Sequence, residues 1–464
     1  MIDTVALKEK VLELAFSGKL GKSCDTKNTG RNLYEEIQKE KLCLVKEGLV
    51  KSIECLPKIT EDEKYFQIPN NWAWVRWGDL SYSIQYGYNA PAKDSGTIKM
   101  VRISDIQNGK VNWNSVPYCD IQKKDMETYL LRKNDILFAR TGGTVGKSYL
   151  VDDVPEEAIY AGYLIRTRYS ELLYPNYLYF FMNSPLYWKQ LRKGTTTTAQ
   201  PNCNGKTLSK MVLPLPPYKE QVRIANSLSE VFTILDKIEK LQDEYTFNLN
   251  VLKNKVIDAG VQGKLTEQLL EDGNAEDLYA EIRKEKSKLI EEGKIKKEKN
   301  KFEIADDEIP FEIPDNWKWV RIGDIFTLQA GKNISASLIY EEEDDIHTYK
   351  CYGGNGCRGY VEKYNTSGEH VLIGRQGALC GNVNLTEGDF YATEHAVVVY
   401  HYAGVNAKWI EYVLRYLNLN QYATATAQPG LAVGKIEKVL LPLPPLGEQK
   451  RIVEKIESIL KCIE

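Results

Sequence analysis

The sequence has few of the residues on which metal sites, disulfide networks and secretion depend. It contains four histidines among 464 residues, and its nine cysteines include no Cys-x-x-Cys pair. No apolar run is long enough for a signal peptide or a membrane span. Cys351, Cys357, His370 and Cys380 lie close together, but their spacing matches no common structural zinc pattern. We therefore predict no metal site and expect a reduced, cytoplasmic location.

Motifs for catalysis are also missing. The chain has no Asn-Pro-Pro-aromatic motif of amino-methyltransferases, no glycine-rich dinucleotide fingerprint and no helicase-type loop. Thr141-Gly-Gly-Thr-Val-Gly-Lys-Ser148 resembles the end of a phosphate-binding loop, but Thr141 stands where the first glycine is required. A strand precedes this segment and no helical pattern follows it, which favours a strand-turn-strand hairpin. We predict no catalytic residue and no bound cofactor in this chain.

Charge is distributed unevenly. The formal net charge of −3 does not by itself indicate a nucleic-acid partner. Residues 66–212 nevertheless carry 18 Lys and Arg against 12 Asp and Glu, whereas residues 311–440 carry 11 against 15. The two regions therefore differ in the sign of their net charge.

The most informative positive feature is an internal repeat. Ile68-Pro-Asn-Asn-Trp-Ala-Trp-Val-Arg76 returns 245 residues later as Ile313-Pro-Asp-Asn-Trp-Lys-Trp-Val-Arg321, and Leu213-Pro-Leu-Pro-Pro217 returns 228 residues later as Leu441-Pro-Leu-Pro-Pro445. The unit is too long for a solenoid repeat. It indicates one framework built twice around two different inserts. The Pro-rich segments predict extended, stiff hinges at the edge of each domain.

The repeat is cyclic. By these offsets Glu464 corresponds to position 236 and Met1 to position 246, so that each terminus supplies part of one unit and positions 237–245 have no counterpart.

A long helix is predicted from Lys219 to Lys264. Apolar residues recur at heptad spacing along it. The two seams consist of Ile224, Val231, Ile238, Tyr245, Leu252 and Ala259, and of Leu228, Leu235, Gln242, Leu249 and Val256. The partner seam is predicted in both terminal segments, at Ile452, Ile456, Ile459 and Ile463 and at Leu7, Val11 and Leu14. The alternative is a coiled coil that serves only dimerisation.

The fold class predicted from these patterns is α+β. Two mixed α/β globular domains are separated by two long antiparallel helices that form an intramolecular coiled coil, with a pseudo-twofold cyclic repeat. The predicted divisions are 1–64 (part of the second long helix and a helical linker), 65–213 (first globular domain), 214–310 (central long helix and linker), 311–441 (second globular domain) and 442–464 (remainder of the second helix).

Several motifs in cyclic order carry a resemblance to a known family. Besides the two repeated segments, Thr-Ala-Gln-Pro occurs at 198–201 and 426–429, and Glu-Gln-x-x-Ile occurs at 220–224 and 448–452. Gly-Lys-Leu follows each long helix, at 18–20 and 263–265. Over nearly its whole length the chain resembles the DNA specificity subunits of type I restriction-modification systems.

The resemblance implies a sequence-specific DNA-binding protein of a host-defence system. Two target-recognition domains would each read one half of a bipartite, asymmetric double-stranded DNA target. The long helices would dock two modification (methyltransferase) subunits, which bring S-adenosylmethionine for DNA methylation. Restriction (translocase/endonuclease) subunits, which use ATP and Mg²⁺, would join them. The resemblance implies no catalysis by this chain and no membrane.

Candidate DNA contacts are polar side chains predicted on loops or strand edges, where they can reach base edges or phosphates. In the first domain they are Arg102, Asn108, Arg140, Thr144, Lys147 and Gln200; in the second they are Tyr352, Asn355, Arg358, Arg375, Gln376 and Gln428. Each could instead be a surface residue or a turn stabiliser. Trp72, Trp74, Trp317 and Trp319 are interpreted as core residues rather than stacking platforms.

Two other functional classes are compatible with parts of the sequence. A two-headed coiled-coil scaffold could space protein ligands without DNA specificity. A nucleotide-using enzyme could be built on the turn that contains Gly146, Lys147 and Ser148.

Overall fold

The chain forms two compact units, Met1–Asp243 and Glu244–Glu464. The computed structural model describes residues 1–21, 28–51, 55–107, 109–194, 202–296, 303–377, 379–424 and 429–463. The candidate residues Asn108, Gln200 and Gln428 lie outside this described part of the chain. No helix within it is both long enough and apolar enough to span a membrane.

Unit 1 combines helices and strands throughout its length. Its helices are α1 (Thr4–Phe16), α2 (Gly30–Lys46), α3 (Trp77–Leu80), α4 (Lys123–Tyr129), α5 (Pro175–Phe181), α6 (Pro185–Gly194), α7 (Gly205–Lys210) and α8 (Tyr218–Val261), which ends in unit 2. Its strands are β1 (Ala73–Arg76), β2 (Ser81–Tyr86), β3 (Ile98–Val101), β4 (Ile106–Gln107), β5 (Lys110–Val111), β6 (Tyr118–Cys119), β7 (Ile136–Ala139), β8 (Ser148–Leu150), β9 (Ala158–Tyr160), β10 (Leu164–Tyr169) and β11 (Val212–Leu215).

Unit 2 repeats the plan with fewer helices among its described residues. Its helices are α9 (Ala275–Glu291), α10 (Ile322–Ile325), α11 (Ala407–Tyr416), α12 (Val433–Ile436) and α13 (Leu446–Ile463). Its strands are β12 (Lys318–Arg321), β13 (Thr327–Ala330), β14 (Tyr349–Gly353), β15 (Gly356–Val361), β16 (Thr366–Ser367), β17 (His370–Gly374), β18 (Val383–Thr386), β19 (Asp389–Ala392), β20 (Ala396–Tyr400) and β21 (Leu440–Leu443).

The main sheets of the two units have the same topology, and the second sheets share a parallel strand pair. The main sheet is antiparallel, with order β2-β10-β7-β8 in unit 1 and β13-β20-β17-β18 in unit 2. A second sheet pairs β3 with β9 in parallel in unit 1, and β14 with β19 in parallel in unit 2. The repeat seen in the sequence framework therefore extends into the inserts, although their sequences look unrelated.

A two-stranded ladder closes each insert. β1 pairs antiparallel with β11, which places Trp74 opposite Pro214, and β12 pairs with β21, which places Trp319 opposite Pro442. The extended conformation predicted for the Pro-rich segments is confirmed at Pro214 and Pro442, which lie within paired strands, and their role as stiff hinges stays a prediction. Proline is tolerated because each ladder has only two strands, so the proline nitrogen can face the edge that needs no donor.

The central long helix forms as predicted. α8 contains 44 residues and is about 65 Å long at 1.5 Å per residue. In unit 1, α1 runs antiparallel to it, since the Ile2 N–H donates to Gln242 Oε1 at 2.7 Å and Lys8 Nζ lies 2.6 Å from Asp236 Oδ1. Leu12 and Leu228 belong to the buried core of this unit.

In unit 2, α13 packs along the end of α8. Ile452 and Ile456 share a buried core with Val256 and Ile257. Close approach is possible because position 260 is glycine, where a Cβ atom would lie 2.8 Å from the Ile456 Cδ1 atom. Both terminal segments therefore supply antiparallel partners for α8, which confirms the predicted α+β class with its long-helix pairing.

The middle of the predicted seam is not buried. Tyr245 is 60% exposed and Leu252 is 44% exposed. In unit 2, the α13 residues that pack against the core extend from Ile452 to Leu460 and meet α8 from Val256 onward. The preceding turns of α8 have no partner helix among the residues described for that unit.

The framework is held by the same buried hydrogen bond in each unit. Trp72 Nε1 donates to Glu220 Oε2 at 3.0 Å, and Trp317 Nε1 donates to Glu448 Oε2 at 2.7 Å. Both tryptophans are 6% exposed, as expected for core residues. Burying a carboxylate is unfavourable unless donors surround it, so each bond fixes α8 or α13 to the start of its insert.

Candidate nucleic-acid interface

The two main sheets end in equivalent turns that carry an arginine at the same position. In unit 1 the turn from β7 to β8 begins at Arg140, whose N–H donates to the Tyr163 carbonyl at 3.1 Å and whose carbonyl accepts the Cys203 N–H at 2.9 Å. This places three chain segments side by side at one end of the sheet.

Unit 2 repeats this arrangement between β17 and β18. The Arg375 N–H donates to the His395 carbonyl at 2.8 Å, and the Arg375 carbonyl accepts the Leu431 N–H at 2.9 Å. Arg375 is therefore the structural counterpart of Arg140. The sequences of the two turns share little beyond this arginine and two glycines, so only the geometry establishes the match.

One glycine gives each turn its shape. Gly146 has φ +94° and Gly381 has φ +90°, a region that favours glycine. A Cβ atom on Gly146 would collide with the Leu191 and Trp188 side chains, and one on Gly381 would collide with the backbone of Asn420. The glycines are required both by conformation and by close packing.

The predicted hairpin at residues 141–148 is confirmed. β7 pairs antiparallel with β8, with Phe138 opposite Ser148. A phosphate-binding loop needs a helix directly after its Gly-Lys-Ser end, and here a strand begins at Ser148. The hypothesis of a nucleotide-using enzyme therefore lacks the helix that a phosphate-binding loop requires.

An aromatic and cationic surface surrounds the turn of unit 1. The Arg140 guanidinium lies 4.6 Å from the centre of the Tyr86 ring. Tyr86 is 40% exposed, Tyr163 is 64% exposed, and Lys147 is also exposed. Thr144 is half-buried in the same turn. Arg140, Thr144 and Lys147 are thus brought together at one end of the sheet.

Arg102 is held differently. Its Nε and Nη2 atoms donate to the Asp105 carboxylate at 3.1 and 2.8 Å, and Asp105 is itself 8% exposed. The pair lines a groove of about 500 Å³ together with Gln107 and Lys110. Because its guanidinium already binds a buried carboxylate, Arg102 supports the loop after β3, and its prediction as a DNA contact stays untested.

Three of the predicted residues of unit 2 line one groove. Asn355, Arg358 and Gln376 line a groove of about 470 Å³, together with His395. All three predicted side chains are exposed. Amide and guanidinium groups of this kind can donate to, or accept from, base edges. Among the described residues, no aromatic ring lies against the Arg375 guanidinium as Tyr86 lies against that of Arg140, since the equivalent strand position is Ala330.

Two predicted residues of unit 2 lie outside the groove lining. Tyr352 is half-buried in β14 and packs edge-on against Phe390, with ring centres 5.7 Å apart. Arg375 is half-buried beside the groove and contacts the Cys380 thiol through its carbonyl oxygen. Burial raises the pKa of that thiol.

Sequence reasoning missed three residues of these surfaces, namely Tyr86, Tyr163 and His395. The two tyrosines each stand next to a glycine in a segment that follows a strand pattern, which is a detectable signal for an exposed aromatic residue in a turn. His395 had no comparable signal, since its position is set by backbone pairing with Arg375.

The described residues of the two units give little support to a metal site or to a cysteine nucleophile. The described parts of the chain contain no group of three or more His, Cys, Asp or Glu residues placed to hold a metal ion. Burial raises the pKa of the Cys203 thiol to about 12, so it is not a nucleophile at neutral pH.

Comparisons with known proteins identify the family. The model of the type I restriction modification DNA specificity domain matches residues 69–244 and 314–464. The chain is 31% identical to the EcoprrI specificity subunit of Escherichia coli, over 84% of this chain and 89% of that protein. It is 23% identical to the EcoAI specificity subunit of Escherichia coli, over 98% and 88%.

A solved structure concerned with complex assembly and conformational transition of the type I restriction-modification system contains a chain of similar fold. The TM-score is 0.61 at 20% identity, with 86% of this chain and 92% of that chain covered. These matches favour DNA sequence specificity over the alternative of a protein scaffold. The chain belongs to the type I restriction-modification DNA specificity family.

Proposed function

We propose that each unit reads one half of a bipartite, asymmetric double-stranded DNA target. The observation that carries this proposal is the equivalent turn at the end of each main sheet, which presents different side chains in the two units. Unit 1 offers Arg140 on an aromatic surface, whereas unit 2 offers a polar groove with Arg358 and Gln376. Two surfaces with the same backbone frame and different donors recognise different bases.

We further propose that this chain selects the sequence and that its partners perform the chemistry. Two modification subunits would bring S-adenosylmethionine, and restriction subunits would use ATP and Mg²⁺. No catalytic group is assigned to this chain. The complex would act in the cytoplasm, where its DNA substrate is present.

The helices are the proposed docking surface for the modification subunits. On α8, Ile234 and Leu241 are 59% and 54% exposed in unit 1, and Tyr245 and Phe247 are 60% and 68% exposed in unit 2. Large apolar side chains exposed in this way on one helix are typical of interaction sites.

Methylome sequencing tests the reading function. DNA from cells that express this chain with its modification subunits should carry a mark at a split motif, and deletion of the chain should abolish that mark. A mark that persists without the chain, or a continuous motif, would contradict the proposal.

Co-purification tests the docking surface. Phe247→Ser should weaken association with the modification subunit by at least tenfold, since exposed aromatic anchors of an interface often contribute more than about 1.4 kcal/mol. Asn248→Ser, on the neighbouring exposed position of the same helix, is the matched control. Equal binding by both variants would place the modification subunits elsewhere.

A further inference from the structure

We propose that Arg140 is a specificity-determining residue that recognises a guanine in the half-target of unit 1. This inference rests on the proposed function and adds to it the identity of one base. It predicts a G·C pair in that half-target, read through the guanine O6 and N7 atoms in the major groove.

The first argument is that the Arg140 side chain is not engaged in holding the fold. Other arginines of unit 1 bind carboxylates: Arg76 contacts Glu63 at 2.7 Å, and Arg168 contacts Asp135 at 2.9 Å. Among the described residues, Arg140 has no hydrogen bond or ion pair from its guanidinium, and its Nε atom is buried without a partner. The group is positioned by the protein and left free to bind something else.

The second argument is orientation. The guanidinium lies against the Tyr86 ring at 4.6 Å, and the Tyr86 hydroxyl is itself fixed because it accepts the Gly205 N–H at 3.0 Å. The backbone of Arg140 is fixed on both sides by Tyr163 and Cys203. An arginine that lies over an aromatic ring is held in place by the cation–π contact and can still donate through its terminal N–H groups.

The third argument concerns the choice between a base and a phosphate. Phosphate contacts depend mainly on charge, which the exposed Lys147 of the same turn already supplies. A planar fork held in one direction matches the paired acceptors O6 and N7 of guanine, and it is the commonest specific contact to a base. The rigid tyrosine support gives Arg140 this directional role.

Unit 2 supplies an internal comparison. Arg375 occupies the equivalent turn position, but Ala330 replaces the supporting tyrosine. The guanidinium of Arg375 therefore lacks the same fixed orientation, and recognition in unit 2 is expected to involve the groove residues Arg358 and Gln376 instead.

The experiment is methylome sequencing of cells that express the modification subunits with the wild-type chain, Arg140→Ala, Arg140→Lys or Tyr86→Ala. In the wild type, one half-motif must contain a required G·C pair. In Arg140→Ala, discrimination at that single position should fall by about 10- to 100-fold, since a bidentate contact contributes that much. Arg140→Lys should retain part of it, and Tyr86→Ala should weaken the same position only.

Arg31→Ala, which removes an exposed arginine from α2 of the same unit, is the matched control and should leave the motif unchanged. Arg375→Ala should leave the half-motif that depends on Arg140 intact. Co-purification with the modification subunit checks that every variant is folded and assembled.

The proposal is overturned by an unchanged motif in Arg140→Ala, or by the absence of a required G·C pair in the affected half. Full recovery in Arg140→Lys of a methylation that Arg140→Ala loses at every sequence, with the complex intact, would also overturn it, because it would indicate a phosphate contact that needs only the charge. Failure of the proposed function is distinguishable, since the wild-type chain would then direct no bipartite mark at all.

Discussion

The buried positions around the start of β7 in unit 1 hold charged side chains, whereas the equivalent positions around β17 in unit 2 do not. In unit 1, Asp135 and Arg166 are 3% and 2% exposed, and Asp135 also binds Arg168 at 2.9 Å. The register places His370 and Val398 of unit 2 at the positions of Asp135 and Arg166.

Unit 2 has no ion pair at these positions. The ring of His370 packs edge-on against Tyr400, the counterpart of Arg168, with centres 4.8 Å apart, and Val398 is 2% exposed. Burial lowers the pKa of His370. The comparison teaches that backbone pairing is the constant element, whereas the side chains between the layers are free to change from ionic to apolar.

The largest effect is expected from breaking the ionic version. Asp135→Ala should destabilise unit 1 by about 3 kcal/mol, because it removes the buried carboxylate that binds Arg168 at 2.9 Å and lies 4.0 Å from the buried Arg166. His370→Phe at the counterpart position should cost less, about 1–2 kcal/mol, since it keeps a ring against Tyr400 and removes only the contacts of the ring nitrogens with the Val399 and Ser367 carbonyls. Amide hydrogen exchange of β7 and β17 in the full chain measures both local stabilities.

A triple replacement tests whether the residues of unit 2 can substitute for those of unit 1. The triple replacement Asp135→His, Arg166→Val and Arg168→Tyr installs the unit 2 residues and should recover most of the lost protection, because an apolar replacement of a buried ion network is often neutral. Equal losses in Asp135→Ala and the triple variant would show that the two packing solutions are not interchangeable.

A smaller loss of stability, equal in the two units, is expected from removing the buried tryptophan hydrogen bond that both units contain. Trp72→Phe and Trp317→Phe should each cost about 1–2 kcal/mol, because each leaves a buried carboxylate, Glu220 or Glu448, with one donor fewer. Thermal unfolding of the single variants gives the two values.

The matched control is Trp319→Phe. The Trp319 Nε1 atom is buried and has no hydrogen-bond partner in the described part of the chain, so its removal should cost less than that of the Trp317 donor. A difference of more than about 1 kcal/mol between Trp72→Phe and Trp317→Phe would show that the framework is not equivalent in the two units.

The smallest effect is expected in the dependence of stability on low pH. A hydrogen bond from Arg76 is the main cause that lowers the pKa of Glu63 from 4.5 to about 2. Because the carboxylate form is favoured in the folded protein, this pair stabilises unit 1 fully above pH 4.5, and the contribution is lost as the pH falls towards 2. After allowance for solvent screening, Glu63→Gln should lower stability by about 1 kcal/mol at pH 7.

The pH dependence provides the check. The stability difference between the wild type and Glu63→Gln should shrink as the pH is lowered from 4.5. In unit 2 the pKa of Glu308 is lowered mainly by the Ala305 N–H, with Arg321 contributing next. In chains that keep both glutamates, Arg321→Met should therefore change the acid response of Glu308 less than Arg76→Met changes that of Glu63.

Local patterns were sufficient to predict the framework. The heptad spacing between residues 219 and 264 predicted α8 to within a few residues at each end, because its period of apolar residues requires no knowledge of distant contacts. The hairpin after β7 was predicted from its glycines for the same reason. The resemblance of the repeated motifs supplied the family, which the comparisons confirmed.

The contacts that matter most for recognition depend on pairing between distant segments. Tyr86 reaches Arg140 only because β2 and β7 both pair with β10, in a register that the sequence does not reveal. The parallel pairing of β3 with β9 is likewise set by distant contacts. For this reason the sequence could suggest Arg140 as a contact but could not identify its aromatic support.

The short ladders β1–β11 and β12–β21 have an evolutionary consequence. Each ladder brings the first and last residues of an insert side by side. The insert therefore begins and ends at the same place on the framework. A genetic exchange with crossovers at the two repeated segments would replace one whole insert and leave the helices untouched. New target sequences could therefore arise by recombination in one step, without any simultaneous change in the partner subunits.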